Sequence, residues 1–168
     1  RLDILKSEDV SEVIDSFLEE TLLILNNANL TFKKSNDKKA YLTSVKNITG
    51  NVLNDKELLS ITELDKDKFL EKIKNIYETK REERIKVIGS DQNNNLERKI
   101  FLQIIDFAWR SHLQYLEQLR QVIGLRSYGQ KDPLSEFKKE AFILFENLLE
   151  KIKLDLVKFL LNLNIVLT

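Results

Sequence analysis

The chain has 168 residues, and its 27 lysines and arginines balance its 27 aspartates and glutamates. This length suffices for one domain or two small ones with a sizeable core, and the zero net charge creates no overall field that would attract nucleic acid or a membrane surface. Cysteine is absent, which excludes disulfides, a thiolate nucleophile and a thiolate metal site.

Turn-forming residues are rare, and their scarcity indicates the fold class. Four glycines and one proline interrupt the chain, whereas leucine, lysine, glutamate and isoleucine are abundant. A β-rich or α/β chain of this length needs more turn residues between its strands. The composition therefore predicts an all-α protein.

The N-terminus predicts a piece of a larger protein. The chain begins at Arg1, contains no methionine, and lacks the basic, apolar and small-residue order of a signal peptide. No stretch approaches the roughly 18 continuous apolar residues of a membrane span. We therefore expect an excised segment, whose composition says little about where the parent protein resides.

The first predicted helix follows Asp9, which can cap it, with Glu12 at the capping-box position. Its apolar residues recur at helical spacing from Val13 to Leu25. Short amide side chains compete for backbone hydrogen bonds, so three asparagines are predicted to end this helix: Asn26, Asn27 and Asn29. The lysine-rich residues 30–37 are predicted to form a solvated loop.

Shorter patterns complete the N-terminal part of the chain. An apolar stripe within residues 41–48 predicts a short helix that stops at Gly50. Asn54 is predicted to cap a brief helix, and Thr62 and Asp65 to begin a longer one that Gly89 closes.

A polar run at residues 90–95 is the clearest predicted linker, and we place a domain boundary there. Beyond it, residues 96–123 predict a long helix whose first part, residues 100–109, is apolar on almost every side. A helix of that kind is normally sandwiched between other elements. We therefore expect neighbouring helices to cover it.

The C-terminal part predicts a helical hairpin. Gly124 and Gly129 bracket a tight loop, and Asp132 followed by Pro133 begins the next helix as N-cap and first helical residue. Apolar residues then recur every three or four positions as far as Leu163. Two long helices joined by a short loop must lie antiparallel.

No catalytic constellation emerges from the motifs. The loop GLRSYG has the outer spacing of a phosphate-binding loop, but Gln130 stands where a Walker loop needs lysine, and the loop follows a helix rather than a strand. His112 is the single histidine and lies on an apolar stripe, which favours packing over a role as base or metal ligand. Adjacent acidic residues such as Glu82 and Glu83 diverge around a helix axis and predict solvated faces.

The predicted end of the hairpin is basic and carries an aromatic residue. Six basic and three acidic residues between Arg110 and Lys139 leave a net charge of about +3 there. Tyr128 lies at the centre of the loop between Ser127 and Gly129, an arrangement that suits non-specific contact with another chain. An ordinary exposed turn with a charged rim explains the same residues, and the pattern alone leaves both interpretations open.

A long motif resembles the two-helix finger of the SecA family. It reads WRSHLQYLEQLRQVIGLRSYGQKDPLSEFKKEAFILFENLL (109–149), and its parts LRQVIGLRSYGQKDP (119–133) and FKKEAFILF (137–145) match the family in residue type and spacing. The segment ERKIFLQIIDFAW (97–109) is similar to the scaffold helix that enters the finger. The segment RLDILKSEDVSEVIDSF (1–17) is similar to the place where the family's long scaffold helix passes into its helical wing.

This resemblance implies a division of the chain. Residues 1–10 would end a scaffold helix, residues 11–95 would form a small helical wing domain, and residues 96–168 would form the long antiparallel two-helix finger. The resemblance is strong over about residues 96–160, while residues 18–95 fit mainly in helix order and length.

The resemblance also implies a function. SecA proteins are cytosolic ATPases that dock on the SecYEG channel, peripherally on the cytoplasmic face of the bacterial inner membrane, and drive unfolded preproteins and their signal peptides through it. ATP and Mg²⁺ would bind to domains outside this chain, so no catalytic or nucleotide-binding residue is expected here. Zinc would belong only to a C-terminal tail that is also outside it.

The family's fingertip contacts both preprotein and channel. By position, the resemblance assigns this contact to six residues: Arg126, Ser127, Tyr128, Gly129, Gln130 and Lys131. Ser127 departs from the glycine that is common before the tip tyrosine, and this change would stiffen the loop slightly.

Other functions compete with this one. A stand-alone helical scaffold or adaptor would use the hairpin for assembly, and its gene would encode little beyond these residues. Nucleic-acid binding through the basic tip would weaken steeply with salt, but the chain is neutral and few aromatic residues alternate with basic ones, so we expect no nucleic-acid partner. We also expect the apolar helix at residues 100–109, which needs a cover, to be hidden either by self-association or by refolded contacts with the wing.

Overall fold

The computed structural model describes residues 10–126 and 132–164, and every regular element in these ranges is an α-helix. The all-α prediction is confirmed. The helices in chain order are α1 (Ser11–Ser35), α2 (Lys38–Thr49), α3 (Asp55–Ile61), α4 (Lys66–Ile88), α5 (Ser90–Arg126) and α6 (Pro133–Asn162). We call α5 and α6 together the hairpin.

The first helix, α1, is longer than the sequence predicts. It runs through all three asparagines and through most of the predicted loop at residues 30–37, and it ends at Ser35. Asn36 then takes a left-handed conformation with φ of 55° and turns the chain towards α2. At the other end, Val10 is the N-cap residue and its side chain makes no capping bond, while the predicted cap Asp9 lies outside the described residues.

Tertiary packing explains why α1 does not stop at its asparagines. Asn26 and Asn29 are both buried on the side of α1 that faces the core. Phe32, one turn further on, packs against Tyr41 of α2 with ring centroids 4.7 Å apart. The side-chain oxygens of Asn26 and Asn29 are buried without a hydrogen-bond partner, which costs free energy. The apolar packing of Phe32 therefore rewards continuation of the helix and outweighs the weak local preference of asparagine for helix ends.

Capping residues between the shorter helices lie where the sequence predicts them. The side chain of Asn54 accepts a hydrogen bond from the backbone N–H of Glu57 at 2.8 Å, and that of Asp65 accepts one from Lys68 at 2.9 Å. Gly50 ends α2 with φ of 69°, a conformation that favours glycine. These predictions are confirmed because an N-cap depends only on residues a few positions apart.

The prediction that residues 90–95 form a linker is wrong. These residues are the first turns of α5, and Gly89 alone separates α4 from α5. Gly89 has φ of 87°, and no atom lies within 4 Å of the position that a β-carbon would occupy. The helix bounds do not test whether a domain boundary falls at residue 95, so the division into wing and finger stays a prediction.

A single apolar core joins the N-terminal helices to the second half of α6. Its most deeply buried apolar side chains come from α1, α2, α3, α4 and α6: Ile14, Leu18, Leu25, Val45, Leu58, Phe69, Ile73, Leu156, Leu160 and Leu161. The predicted apolar stripe of α6 is therefore only partly correct. Leu134, Phe145 and Phe159 belong to that stripe and are largely exposed, whereas Leu160 and Leu161 lie outside it and are buried.

Asn162 fastens the end of α6 to the end of α2. Its side-chain nitrogen donates to the carbonyl of Thr49 at 2.8 Å, and its side-chain oxygen accepts from the backbone N–H of Asn51 at 3.2 Å. Gly50 lies between these two residues, and a β-carbon placed on it would come within 2.6 Å of the Asn162 side-chain nitrogen. The contact therefore joins segments more than a hundred residues apart and requires glycine at the turn.

We expect Asn162→Ala to lower the free energy of unfolding by about 1–3 kcal/mol, because the variant leaves two backbone groups of the α2 turn without their partner. Equilibrium unfolding in urea measures the change. Asn147→Ala is the matched control, since Asn147 is an exposed asparagine on the same helix. Equal unfolding midpoints for the two variants would show that the contact contributes nothing.

Candidate functional site

The residues predicted to form the tip lie at the edge of the described structure. Arg126 is the last residue of α5, and Ser127–Lys131, including Tyr128, lie outside the described residues. Gly124 is part of α5 rather than the first residue of a loop, which corrects the predicted loop boundary and further excludes a phosphate-binding loop there. The structure thus defines the two helices that lead to the tip.

The two helices of the hairpin lie antiparallel, as predicted. Ala108 of α5 lines a cleft together with Leu148 of α6, and Leu119 lines another together with Leu144. Residue numbers therefore rise along α5 while they fall along α6. This arrangement brings the C-terminus of α5 and the N-terminus of α6 to the same end of the molecule.

One narrow stripe of α5 is buried along its outer half. Ala108, His112, Leu119 and Ile123 lie on it, at steps of four and seven residues. Such spacing keeps side chains on one face of a helix. The buried contact between α5 and α6 along this stripe is therefore one side chain wide, and we call it the seam.

Both sides of this seam leave large apolar side chains in solvent. The exposed ones on the hairpin beyond residue 106 are Phe107, Trp109, Leu113, Tyr115, Val122, Leu125, Leu134, Phe142, Ile143, Phe145, Leu149 and Phe159. Within the apolar stretch at residues 100–109, Phe107 is 63% exposed and Trp109 is 45% exposed, so the described helices leave part of that stretch uncovered. Exposed apolar surface of this extent is typical of a region that contacts another protein.

Two shallow clefts lie along one face of the hairpin. The one nearer the tip measures about 380 Å³ and is lined by Tyr115, Val122 and Ile143 among others. The second measures about 510 Å³ and is lined in part by Phe107 and Leu148. Mostly apolar walls with few polar groups favour contact with side chains of another chain over binding of a charged small molecule.

His112 has the packing role that the sequence favours. It is buried in the seam, with its ring centroid 5.3 Å from that of Trp109 and 6.1 Å from that of Phe145. Within the described ranges, no three histidine, aspartate or glutamate side chains come together as a metal site would require.

The basic residues near the tip are exposed or lie outside the described part. Arg110, Lys138 and Lys139 are exposed on the helices. Arg120 bonds to Glu117 at 2.7 Å on the surface of α5, and this bond raises the pKa of the Arg120 guanidinium. Exposed pairs of this kind contribute little to stability.

The start of α6 is fixed by a capping arrangement that the sequence predicts. Asp132 accepts a hydrogen bond from the backbone N–H of Leu134 at 3.2 Å and another from the hydroxyl of Ser135 at 2.8 Å. Pro133 occupies the first helical position, where its missing N–H costs nothing. The direction in which the chain leaves the tip is therefore set by local chemistry.

A buried polar cluster at the base of the hairpin has no counterpart in the sequence predictions. One oxygen of Glu97, Oε1, accepts from Arg81 at 2.8 Å, from Arg84 at 3.0 Å and from Asn93 at 3.0 Å. Arg84 also donates to the side-chain oxygen of Asn93 at 2.7 Å. Burial lowers the pKa of Arg81, but the hydrogen bond to Glu97 and the charge of Glu97 together with other nearby acidic groups outweigh burial, so the pKa is raised.

A signal for this cluster is present in the sequence. Asn93 and Glu97 precede Ile100 and Phe101 at helical spacing, so a stripe extended backwards from these apolar residues reaches both. The polar character of residues 90–95 argues against a helix there and hides this continuity.

Comparison with known proteins identifies relatives of the whole chain. Residues 1–164 match the family described as the SecA Wing and Scaffold domain. A protein translocase subunit SecA from Pelagibacter ubique (strain HTCC1062) is 47% identical over 99% of this chain, and one from Hyphomonas neptunium (strain ATCC 15444) is 33% identical over 98%. The chain spans 19% and 18% of the length of these two curated relatives.

We expect Asp132→Ala to weaken the start of α6 by about 0.5–2 kcal/mol, because the side chain that satisfies the first free N–H groups is lost. Hydrogen exchange should accelerate at the amides of residues 134–136 and stay unchanged in the second half of α6. Ser135→Ala is the control, since it removes one hydroxyl and leaves the cap in place. Unchanged exchange at residues 134–136 in Asp132→Ala would contradict this role of the cap.

Proposed function

We propose a function for this chain from the family to which it belongs, the SecA wing and scaffold family: it is the wing and two-helix finger of a protein translocase subunit. The observation that carries the proposal is the antiparallel hairpin, whose two helices lead to the segment 127–131, which contains Tyr128 in the sequence. The 47% identity over nearly the whole chain to a translocase subunit supports it.

The proposed role of the hairpin is mechanical. The 37 residues of α5 form one continuous helix, about 55 Å long at 1.5 Å per residue. A helix of this length that is clamped at its base transmits a displacement of the base to its far end. In the complete subunit, domains outside this chain would bind ATP with Mg²⁺ and hydrolyse it, and α5 would carry their motion to the tip.

The proposed partners are the SecYEG channel and unfolded preproteins with their signal peptides. Tyr128 offers apolar ring area and one hydroxyl, so it can hold chains of any sequence. Arg126 and Lys131 would meet acidic groups or backbone carbonyls of the channel, and Ser127 and Gly129 would lie beside Tyr128 in the same contact. Gln130 completes the contact with a neutral amide.

The proposed location is the cytoplasm and the cytoplasmic face of the bacterial inner membrane, where the complete subunit would bind peripherally to the channel. Within residues 10–126 and 132–164, no helix has the length and apolar character that a membrane crossing requires. Zinc, if the complete subunit binds it, would be held by a cysteine-containing tail outside this chain, because the chain itself has no cysteine.

Replacement of the tip aromatic tests this function. We expect Tyr128→Ala in the complete subunit to abolish preprotein transport into inverted membrane vesicles, because the ring that grips the chain is gone, and to leave basal ATP hydrolysis unchanged. Tyr128→Phe is the matched control, because it keeps the aromatic ring, and it should retain transport. Full transport by Tyr128→Ala would refute the fingertip role.

We also propose that the 168-residue chain by itself associates through the exposed sides of the hairpin. Its weight-average mass in sedimentation equilibrium should rise with concentration, because association removes apolar surface from water. The double variant Leu113→Ser with Phe142→Ser should reduce this rise. Leu23→Ser, which changes an exposed leucine on α1, should not. A mass that stays monomeric at every concentration would contradict the proposal.

A further inference from the structure

The first turns of α5 are helical, although their residue types favour a loop. Residues 90–95 read SDQNNN, and serine, aspartate and asparagine are weak helix formers that compete for backbone hydrogen bonds. Gly89, immediately before them, has a φ of 87°. Local support for the helix is limited to Asp91 in the first turn and to the bond from the Asn93 N–H to the Gly89 carbonyl at 3.0 Å, so this segment is only weakly helical by itself.

The segment contributes almost nothing to the apolar core. Asn93 is the single fully buried side chain among residues 90–95, and its burial depends on bonds to Arg84 and Glu97. Glu97 and Asn93 are both 0% exposed, and Arg84 is 4% exposed. The polar cluster is therefore the main tertiary contact that rewards helix formation here.

The cluster also joins two helices. Three bonds end on Oε1 of Glu97, a fourth runs from Arg84 to Asn93, and Oε2 of Glu97 is buried and has no hydrogen-bond partner within the described ranges. Loss of the charge at Glu97 leaves the buried Arg84 with neutral acceptors and no charged partner, which is costly. Unwinding of residues 90–95 is the rearrangement with the lowest free-energy cost, because it exposes the Arg84 guanidinium to water and uncovers little apolar surface.

We propose that residues 90–95 are a conditional joint between the N-terminal helices and the hairpin, held helical by the cluster of Arg81, Arg84, Asn93 and Glu97. With the cluster intact, α4 and α5 are one stiff unit, and displacement of the N-terminal helices displaces the hairpin. With the cluster broken, the segment becomes the flexible linker that its sequence favours. The consequence for transport rests on the proposed function, whereas the existence of the joint does not.

Hydrogen exchange followed by mass spectrometry on the full chain tests the joint directly. Glu97→Gln keeps the size and helix propensity of the side chain and removes its charge. Amides of residues 91–97 should exchange at least about tenfold faster in this variant, while those of residues 100–112 keep their protection, as expected for a local opening. Glu117→Gln is the matched control, because it removes an exposed partner of Arg120 on the same helix.

Two further variants cover the case in which Glu97→Gln unfolds more than the joint. Arg84→Met combined with Glu97→Leu replaces the buried charges by apolar groups of similar size, which usually preserves a fold. It should stay folded, and residues 91–97 should exchange more slowly than in Glu97→Gln, because apolar contact then replaces the lost polar bonds. Adding Asn94→Ala and Asn95→Ala to Glu97→Gln raises helix propensity and should restore slow exchange.

Two results would overturn the proposal: wild-type exchange at residues 91–97 in Glu97→Gln, or loss of protection along all of α5 at once. Neither result depends on transport. Failure of the fingertip test with Tyr128→Ala would leave the exchange data intact, and normal exchange in Glu97→Gln would leave the fingertip role intact.

Discussion

Burial of the last turns of α6 among the N-terminal helices anchors the hairpin, and the rest of the structure depends on it. Leu156, Val157, Leu160 and Leu161 are all 0% exposed. Each fully buried aliphatic side chain of this size contributes about 1.5–3 kcal/mol from its removal from water. Asn162 adds polar contacts to the α2 turn at the same place. The base of the hairpin is thus fixed by both apolar and directional contacts.

The outer half of the hairpin buries much less apolar surface than its base. In this outer half the described residues of α5 and α6 pack against each other, and they bury a stripe that includes Leu119 and Ile123. A pair of helices with one narrow seam cannot cover its own sides, which explains the exposed Phe107, Phe142 and Ile143. The molecule therefore has a firmly packed base and a projecting pair of helices with apolar sides, a form that fits a lever working against other proteins.

The polar cluster around Glu97 links these two regions. A buried carboxylate with arginine partners adds little net stability compared with apolar packing, but it demands one geometry. In this chain it fixes how α4 meets α5 and keeps a weakly helical segment in line with the hairpin. Such a cluster contributes specific alignment more than stability. It lies at the place where, in the proposed function, motion of the N-terminal helices would reach α5.

The sequence by itself determined the all-α class, the caps at Asn54, Asp65 and Asp132, the antiparallel hairpin and the family, because each follows from composition, from residues a few positions apart or from a long specific motif. Only the tertiary structure decided that α1 continues past Asn29, that residues 90–95 are helical and which face of α6 enters the core. In the first two of these places a weak local preference is overridden by a contact with a residue of another helix: Tyr41 for α1 and Arg84 for α5. Such contacts are hard to recognise in a single sequence, since the residue type is the same whether an asparagine is buried or lies in a loop.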